Sequence, residues 1–207
     1  MPDASEPQLA KRSEARERLL EAASAIFYAE GINSVGVQRI VTAGSVTLAT
    51  FYRHFPSKDD LVVAYLEKVH DQIRERVTAL GADARGRDLV RAIGGHVGDE
   101  LSGPDFRGCA FINAASEFED PESPVRQVVA EHRDWHYEVM RNAFADAGHS
   151  LPGNAARHFL MLRDGAMVAG YLGSTITAKR TFTRGVEGLL RSIDVAALNS
   201  AEPAGET

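Results

Sequence analysis

The apolar residues of this chain recur every three or four positions along most of its length. The first stripe precedes Gly31 and consists of Leu19, Ala22, Ala23, Ile26 and Phe27. This spacing places apolar side chains on one face of an α-helix, and a following glycine is a common stop signal because it readily adopts the left-handed conformation. Strand-like alternation is not sustained anywhere in the sequence. The pattern therefore predicts an all-α protein.

Two short helices are predicted next, over residues 37–43 and 48–54, with a turn at Gly44-Ser45 between them. Thr47 stands where its hydroxyl can cap the second helix. The predicted inward face consists of Ile40, Val41, Val46, Phe51 and Phe55. Helices this short are unstable alone, so we expect them to pack on the first helix as a three-helix unit that contains a helix-turn-helix.

The remainder of the chain is also predicted to be helical. Ser57 and Asp60 form a capping-box-like pattern at the start of a helix that is expected to end at Gly81. Five more helices are predicted over residues 86–101, 108–118, 123–147, 154–173 and 178–195. About nine helices are expected in all, in a DNA-binding domain of residues 1–57 and a ligand-binding and dimerisation domain of residues 58–207. The polar ends, residues 1–8 and 197–207, are expected to be disordered.

Charge is distributed unevenly along the chain. The whole sequence has a formal net charge of −6, but residues 8–58 contain seven Lys or Arg against four Glu. A mildly basic segment on an acidic chain suits a protein that contacts phosphate with one end only. Because the predicted helix-turn-helix lies in this segment, its charge favours nucleic-acid binding.

Several classes of protein are disfavoured by what the sequence lacks. Cys109 is the only cysteine, which excludes an intrachain disulfide framework and fits a reducing compartment. The chain has no apolar run of membrane-spanning length and no signal-peptide h-region, so a cytoplasmic location is expected. It also has no nucleophile elbow, P-loop, dinucleotide fingerprint or zinc-protease helix. We therefore expect neither an enzyme nor a cofactor nor a bound metal.

The outward face of the helix-turn-helix carries groups suited to DNA. The second helix of this motif enters the major groove. Tyr52 and Lys58 can donate to phosphates, and Thr50 can contact a phosphate or a thymine methyl group. Gln38 and Arg39 can hydrogen-bond to base edges. The candidate outward face comprises Gln38, Arg39, Leu48, Ala49, Thr50, Tyr52, Arg53 and His54.

The stretch RLLEAASAIFYAEGINSVGVQRIVTAGSVTLATFYRHFPSKDDL resembles the DNA-binding region of the TetR family of repressors. The shared landmarks are Ala22-Ala23, Phe27, Gly31, Ile40, Thr50-Phe51-Tyr52, His54-Phe55 and Ser57-Lys58 followed by Asp59, Asp60 and Leu61. The resemblance implies a three-helix head, a six-helix ligand-binding body, a dimer through the last two helices, and release from the operator by a small molecule. By position, it implies phosphate contacts from Thr47, Thr50, Tyr52, His54 and Lys58, and base contacts near Gln38, Leu48 and Ala49.

The turn departs from the family pattern. The family usually has Ala-Gly-Val-Ser here, whereas this chain has Gly44-Ser45-Val46-Thr47. A left-handed conformation costs a non-glycine residue about 1 kcal/mol or more. The turn is therefore either shifted by one residue or strained.

The segment GCAFINAASEF, residues 108–118, is almost entirely apolar, and its Asn113 and Glu117 share one helical face. This pair either makes internal hydrogen bonds, for example to Arg163 or a histidine, or anchors a polar ligand group. Residues 106–118 also resemble a subgroup of TetR regulators that has a Gly-Cys-x-Phe helix and varied ligands. The candidate ligand-binding residues are Phe111, Asn113, Glu117, His132, Trp135, His136, Arg163 and Met167.

Two features of this region have alternative interpretations. Cys109 is either a buried, inert thiol or an activated thiolate near a helix start. His132 and His136 stand four residues apart, which suits metal chelation, but no third ligand lies at a useful spacing. We expect these two histidines to line a helix face instead.

Dimerisation is expected because a helix-turn-helix protein gains affinity by reading two half-sites. The segment Leu160–Leu172 contains the small residues Gly165, Ala166, Ala169 and Gly170, and the last helix carries a stripe of Phe182, Val186, Leu189, Leu190 and Ile193. These helices either form an isologous four-helix interface or pack within one chain.

Three functions compete at this stage. A ligand-responsive repressor of operator DNA is the favoured function. A helical enzyme is the second, and its only candidate constellation is Asn113 and Glu117 with a histidine. The third is a ligand-free architectural regulator or an activator, which a closed body without a cavity would favour.

Overall fold

The computed structural model describes the backbone of residues 6–201 and the side chains of residues 14–193. This part of the chain contains nine α-helices and no strand. They are α1 (Glu6–Glu30), α2 (Val37–Ala43), α3 (Leu48–His54), α4 (Lys58–Asp83), α5 (Gly86–Glu100), α6 (Ala110–Glu117), α7 (Pro124–Asp146), α8 (Pro152–Leu172) and α9 (Thr175–Ala201). The predicted all-α class is confirmed.

The two chain ends are more helical than the sequence suggested. Helix α1 begins at Glu6, so residues 6–8 are helical rather than disordered, and α9 continues through residues 197–201. Both extensions are rich in residues that favour helices, such as Glu, Gln, Leu and Ala. The rest of the predicted disorder, residues 1–5 and 202–207, lies outside the described residues.

The helices belong to two compact units. The first unit contains the chain up to Asp71 and the segment Ala110–Ala130, and the second contains Gln72–Cys109 and the chain from Glu131 onward. Helices α4 and α7 each contribute residues to both units. The segment that includes α6 therefore groups with the helix-turn-helix, although it is distant from it in sequence.

The core of the first unit joins α1 to the two short helices. Leu19, Ala23, Ile40, Phe51 and Leu61 are all completely buried. The predicted inward residues Ile40, Val41, Phe51 and Phe55 are buried, and Val46 is half-buried. The apolar stripe therefore places α2 and α3 against α1, as the periodicity predicted.

An aromatic cluster forms the centre of the second unit. The ring of Phe159 contacts Phe144 and Phe182, with centroid separations of 6.5 and 5.6 Å. The α9 stripe of Phe182, Val186, Leu190 and Ile193 is buried, with Leu189 half-buried. Of the two roles considered for this stripe, packing within the chain is the one that the structure has.

The turn between α2 and α3 contains backbone strain. Gly44 has an ordinary φ of −77°, whereas Ser45 adopts a left-handed φ of 51°. A Cβ on residue 44 would lie 3.4 Å from the carbonyl oxygens of Arg18 and Ile40, so glycine permits the close approach of α1. The turn is therefore strained rather than shifted, and Ser45 carries the strain.

We expect Ser45→Gly to stabilise the protein by about 1 kcal/mol, because glycine relieves a left-handed conformation that costs other residues about 1–3 kcal/mol. Chemical denaturation of both proteins measures the difference in the free energy of unfolding. Ser150→Gly is the control, since Ser150 is exposed and does not have a positive φ. A destabilised Ser45→Gly variant would contradict this account of the turn.

Candidate nucleic-acid interface and buried polar cavity

The N-terminus of α3 is capped by a hydroxyl group. The backbone N–H of Thr50 donates to Thr47 Oγ1 at 3.1 Å, and the hydroxyls of Thr47 and Thr50 lie 3.0 Å apart. This is the cap that the sequence predicted for Thr47. It satisfies one of the backbone donors that a helix leaves unpaired at its start, and it places both hydroxyls at the exposed end of α3.

The candidate recognition residues of α3 lie on its outward face. Leu48 and Tyr52 are 44% and 52% exposed. Ala49 and Arg53 are also exposed, while Thr50 and His54 are half-buried. The buried ring of Phe51 stands edge-on to the Tyr52 ring, with the centroids 5.1 Å apart. One buried aromatic residue thus anchors α3, while its polar groups remain available to a partner.

The α2 candidates are exposed as well. Gln38 is exposed, and Arg39 Nη2 lies 2.9 Å from Glu30 Oε1 in an ion pair that is open to solvent. Exposed pairs of this kind contribute about 0–1 kcal/mol. Arg39 can therefore exchange Glu30 for a DNA group at low energetic cost.

The start of α4 places Lys58 beside α3. Ser57 and Asp60 form the predicted reciprocal cap: the N–H of Ser57 donates to Asp60 Oδ2 at 2.9 Å, and the N–H of Asp60 donates to Ser57 Oγ at 3.1 Å. Lys58 is half-buried. Burial lowers the pKa of Lys58, and the carboxylates of Asp59 and Glu117 oppose this effect.

Within the first unit, Glu117 lies at the end of α6 and accepts hydrogen bonds from the loop between α1 and α2. Its carboxylate oxygens accept from the backbone N–H groups of Ile32 at 3.0 Å and Asn33 at 2.6 Å. Of the two roles expected for Glu117, the structure shows internal hydrogen bonding, but to backbone rather than to Arg163 or a histidine. The other α6 candidates, Phe111 and Asn113, are buried and half-buried.

The second unit encloses a small polar cavity among residues of α4, α5, α7 and α8. Its volume is about 20 Å³, enough for about one water molecule. Four aliphatic and five polar residues form the lining, which comprises Ile73, Val77, Ile93, His96, Val97, Glu100, His132, His136 and Arg163. Three of the sequence candidates, His132, His136 and Arg163, therefore share one cavity.

Arg163 is a buried cation with matched partners. Its Nη1 lies 3.0 Å from Asp164 Oδ1, and both Nη1 and Nη2 lie 3.2 Å from the Sγ of the buried Cys109. Burial acts to lower the pKa of Arg163, but these contacts outweigh it and hold the pKa above its ordinary value. The guanidinium therefore stays charged, while its Nε has no hydrogen-bond partner among the described residues.

Two other cavity groups have shifted pKa values. Burial, with the charge of Arg163, lowers the pKa of His136 to about 4, so this ring is neutral at neutral pH. Its Nε2 is buried and has no hydrogen-bond partner in the part of the chain that the structure describes. Burial acts to raise the pKa of Glu100, but the hydrogen bond and charge of His96 hold it below its usual value. The cavity thus combines charged pairs with two unused hydrogen-bonding atoms, on His136 and Arg163.

Two of the five polar residues that line this cavity were not predicted from the sequence. His96 and Glu100 were not among the candidates, although they stand four residues apart on α5 and their side chains lie 3.2 Å apart. Of the remaining candidates, Met167 is completely buried core and Trp135 is half-buried, with its ring 5.7 Å from those of His132 and His136.

No group of three or more His, Cys, Asp or Glu side chains is placed to hold a metal within the described side chains. Across residues 6–201, no helix has the length and apolar content needed to cross a bilayer.

Comparison with known proteins identifies the family. Residues 19–65 match the family model of bacterial regulatory proteins of the tetR family. SCO4454, a TetR-family transcriptional regulator from Streptomyces coelicolor, is 47% identical with a TM-score of 0.84, over 87% of this chain and 96% of that chain. A putative TetR transcriptional regulator from Streptomyces avermitilis is 28% identical with a TM-score of 0.77, over 87% and 98% of the two chains. Reduced NemR from E. coli is 21% identical with a TM-score of 0.73, over 84% and 96%.

At 47% identity over most of both chains, the first of these similarities establishes more than a shared fold. The matched family segment contains the helix-turn-helix described above. The chain therefore belongs to the TetR family of transcription regulators, which are DNA-binding proteins rather than enzymes.

Proposed function

We propose that this regulator is a homodimeric repressor that binds its operator through α3 and is released by a small molecule bound in the second unit. The observation that carries the proposal is the construction of α3. One buried face anchors this helix, while Tyr52, Arg53 and the hydroxyls of Thr47 and Thr50 lie at its open side. Such a helix fits the major groove, where its first turn meets base edges.

The DNA contacts divide into two kinds. We assign phosphate contacts to Thr47, Thr50, Tyr52, Arg53, His54 and Lys58. We assign base contacts to Gln38, Arg39, Leu48 and Ala49. Phosphate contacts set the register on the duplex, while base contacts select the sequence.

An exposed apolar stripe on α8 supports the homodimer. Met161, Val168 and Leu172 are 71%, 43% and 78% exposed, and the exposed Gly165 lies on the same face. Spacings of four, three and four residues align these positions along one side of the helix. Large apolar side chains gathered on one exposed face are typical of protein–protein contacts. We therefore assign the dimer contact to this face of α8, with a second copy of the chain as partner.

The cavity supports an effector site. Buried polar atoms are normally hydrogen-bonded. Beside this cavity, however, His136 Nε2 and Arg163 Nε have no partner from any described residue. An effector with a hydrogen-bond acceptor and an apolar part would complement Arg163 Nε–H and the aliphatic wall. Because one water molecule nearly fills the cavity, an effector can bind only if the cavity opens. An effector that binds only the open state would shift the protein toward that state and so toward release from the operator.

The same small volume favours a second candidate function, a regulator that acts without a ligand. In that case the cavity holds a structural water that satisfies His136 and Arg163, and operator binding is controlled by the amount of protein alone. The two candidates share the DNA-binding step and differ in whether a small molecule releases the operator.

Lys58→Ala is expected to weaken binding to all duplexes alike and to flatten the salt dependence, because the logarithm of the affinity changes with the logarithm of salt in proportion to phosphate contacts. The slope should fall by about one unit for each contact removed. Fluorescence anisotropy over a potassium chloride series measures it. Arg141→Ala, an exposed residue of α7, removes the same charge and should leave the slope unchanged. An unaltered slope in Lys58→Ala would remove Lys58 from the phosphate contacts.

Leu172→Asp is expected to convert the dimer to a folded monomer, because it places a charge at the most exposed position of the proposed apolar contact without touching the core. Sedimentation velocity gives the oligomeric state, and circular dichroism confirms the helical content. Leu151→Asp is the matched control, since Leu151 is also exposed but lies at the other end of α8. A Leu172→Asp protein that stays dimeric would refute the assigned interface.

Effector release can be tested with operator fragments selected from genomic DNA. We expect a protein-free, small-molecule extract of the source cells to release the operator from the wild-type protein. Val97→Ile adds one methylene to the cavity wall, so it should raise the extract concentration needed. Val139→Ile, outside the cavity, should behave like the wild type. If no extract releases the wild-type protein under any growth condition, the ligand-free function is the correct one.

A further inference from the structure

The loop between α1 and α2 presents two backbone donors that no helix satisfies. Helix α1 ends where the N–H of Gly31 donates to the carbonyl of Phe27 at 3.0 Å. Gly31 then turns the chain with a left-handed φ of 88°, which leaves the N–H groups of Ile32 and Asn33 to be paired elsewhere. Successive N–H groups after a left-handed residue form a concave site for an anion.

The anion in this site is the side chain of Glu117. Its Oε1 accepts from the N–H of Ile32 and its Oε2 from the N–H of Asn33, so each carboxylate oxygen has one backbone donor. The Nδ2 of Asn33 donates a third hydrogen bond, to the backbone carbonyl of Glu117, at 2.9 Å. Hydrogen bonds to a charged acceptor are stronger than those between neutral groups. We refer to these three bonds as the Glu117 clamp.

Glycine at position 31 is part of this arrangement. A Cβ there would lie 3.5 Å from Glu117 Oε1 and 3.5 Å from the hydroxyl oxygen of Ser34. Its positive φ would also strain any other residue. Gly31 therefore serves both as the stop of α1 and as the residue that shapes the loop around the carboxylate.

Glu117 is itself held on a firm support. Phe111 and Ala114 anchor α6, at 3% and 0% exposure. The guanidinium of Arg126 donates to the carbonyls of Ala115 and Phe118 at 3.1 and 3.3 Å. These bonds satisfy carbonyls at the end of α6 and place a cation where the helix dipole favours one. The carboxylate consequently reaches the loop from a fixed position.

The loop that Glu117 holds leads directly into α2. Ile32 and Val35 are both 2% exposed, and the N–H of Val35 donates to the carbonyl of Ile32 at 3.3 Å. Only five residues separate Gly31 from the start of α2 at Val37. A shift of the loop therefore shifts the first residue of α2, and with it the helix-turn-helix, relative to α1.

We propose that Glu117 is a positioning residue for operator recognition, so that the working DNA-binding unit is α1–α3 together with α6. This inference rests on the proposed function, because it requires that the protein bind an operator. It goes further by assigning a role to a residue that is not among the proposed DNA contacts. Glu117 acts through the loop: it sets the angle at which α2 and α3 meet the duplex. It should matter for specific binding, which needs a fixed geometry, and little for non-specific binding, which follows charge.

Glu117→Gln tests this role with minimal change in shape. The amide replaces one acceptor oxygen by an NH₂ group that cannot accept from the loop. We expect operator affinity to fall about 10-fold, the equivalent of about 1.4 kcal/mol, with affinity for a scrambled duplex and the salt slope unchanged. Amide hydrogen exchange at Ile32 and Asn33 should accelerate. Glu119→Gln, an exposed residue with the same charge change, should match the wild type in every measurement.

A merely structural cap would give a different result. It would lower the melting temperature while leaving the ratio of operator to scrambled-duplex affinity unchanged, and that outcome overturns the proposal. Asn33→Ala keeps the carboxylate and removes the third bond, so it should lower the ratio of operator to scrambled-duplex affinity by less than Glu117→Gln does. If Asn33→Ala speeds exchange at residue 33 but leaves this ratio unchanged, that result also contradicts the proposal. Failure of the wild-type protein to bind duplex DNA would instead refute the proposed function, while the exchange rates in Glu117→Gln still report on the clamp.

Discussion

The structure depends on how two seven-residue helices are held in place. Helices of this length do not persist alone in water, so α2 and α3 take their position from their surroundings. Burial of Ile40 and Phe51 against α1 provides the main restraint. The Thr47 cap restrains the start of α3, and the clamp at Glu117 restrains the loop before α2. Together these restraints leave the polar side of α3 open and in a defined orientation.

The second unit, in contrast, contains a buried charge that needs partners. Arg163 remains buried and charged because Cys109 and Asp164 contact it and because His96 helps to keep Glu100 ionised nearby. Removing one partner of such a group is far more destabilising than the pair is stabilising. The charges therefore make the region around the cavity sensitive to any molecule that changes these contacts, which is the property that a regulated site needs.

Local signals in the sequence predicted much of the fold. The structure contains the predicted helices, the caps at Thr47 and Ser57, and the stop at Gly31. Each of these signals involves residues within four positions of one another. The contacts that sequence reasoning missed are distant: Glu117 and Ile32 are 85 residues apart, and Cys109 and Arg163 are 54 apart. Periodicity also cannot tell a face that packs within the chain from one that meets a partner. For this reason the α9 stripe remained open to both roles, whereas exposure singles out α8.

The central claim is that α3 presents a fixed, polar face to duplex DNA. It is tested most directly by titrating the wild-type protein, at a series of salt concentrations, with the selected operator and with a scrambled duplex of equal length. The account predicts that the logarithm of both affinities falls linearly with the logarithm of salt, and that the operator binds at least about 10³-fold more tightly. Equal affinity for the two duplexes, or no binding even in dilute buffer, would contradict it.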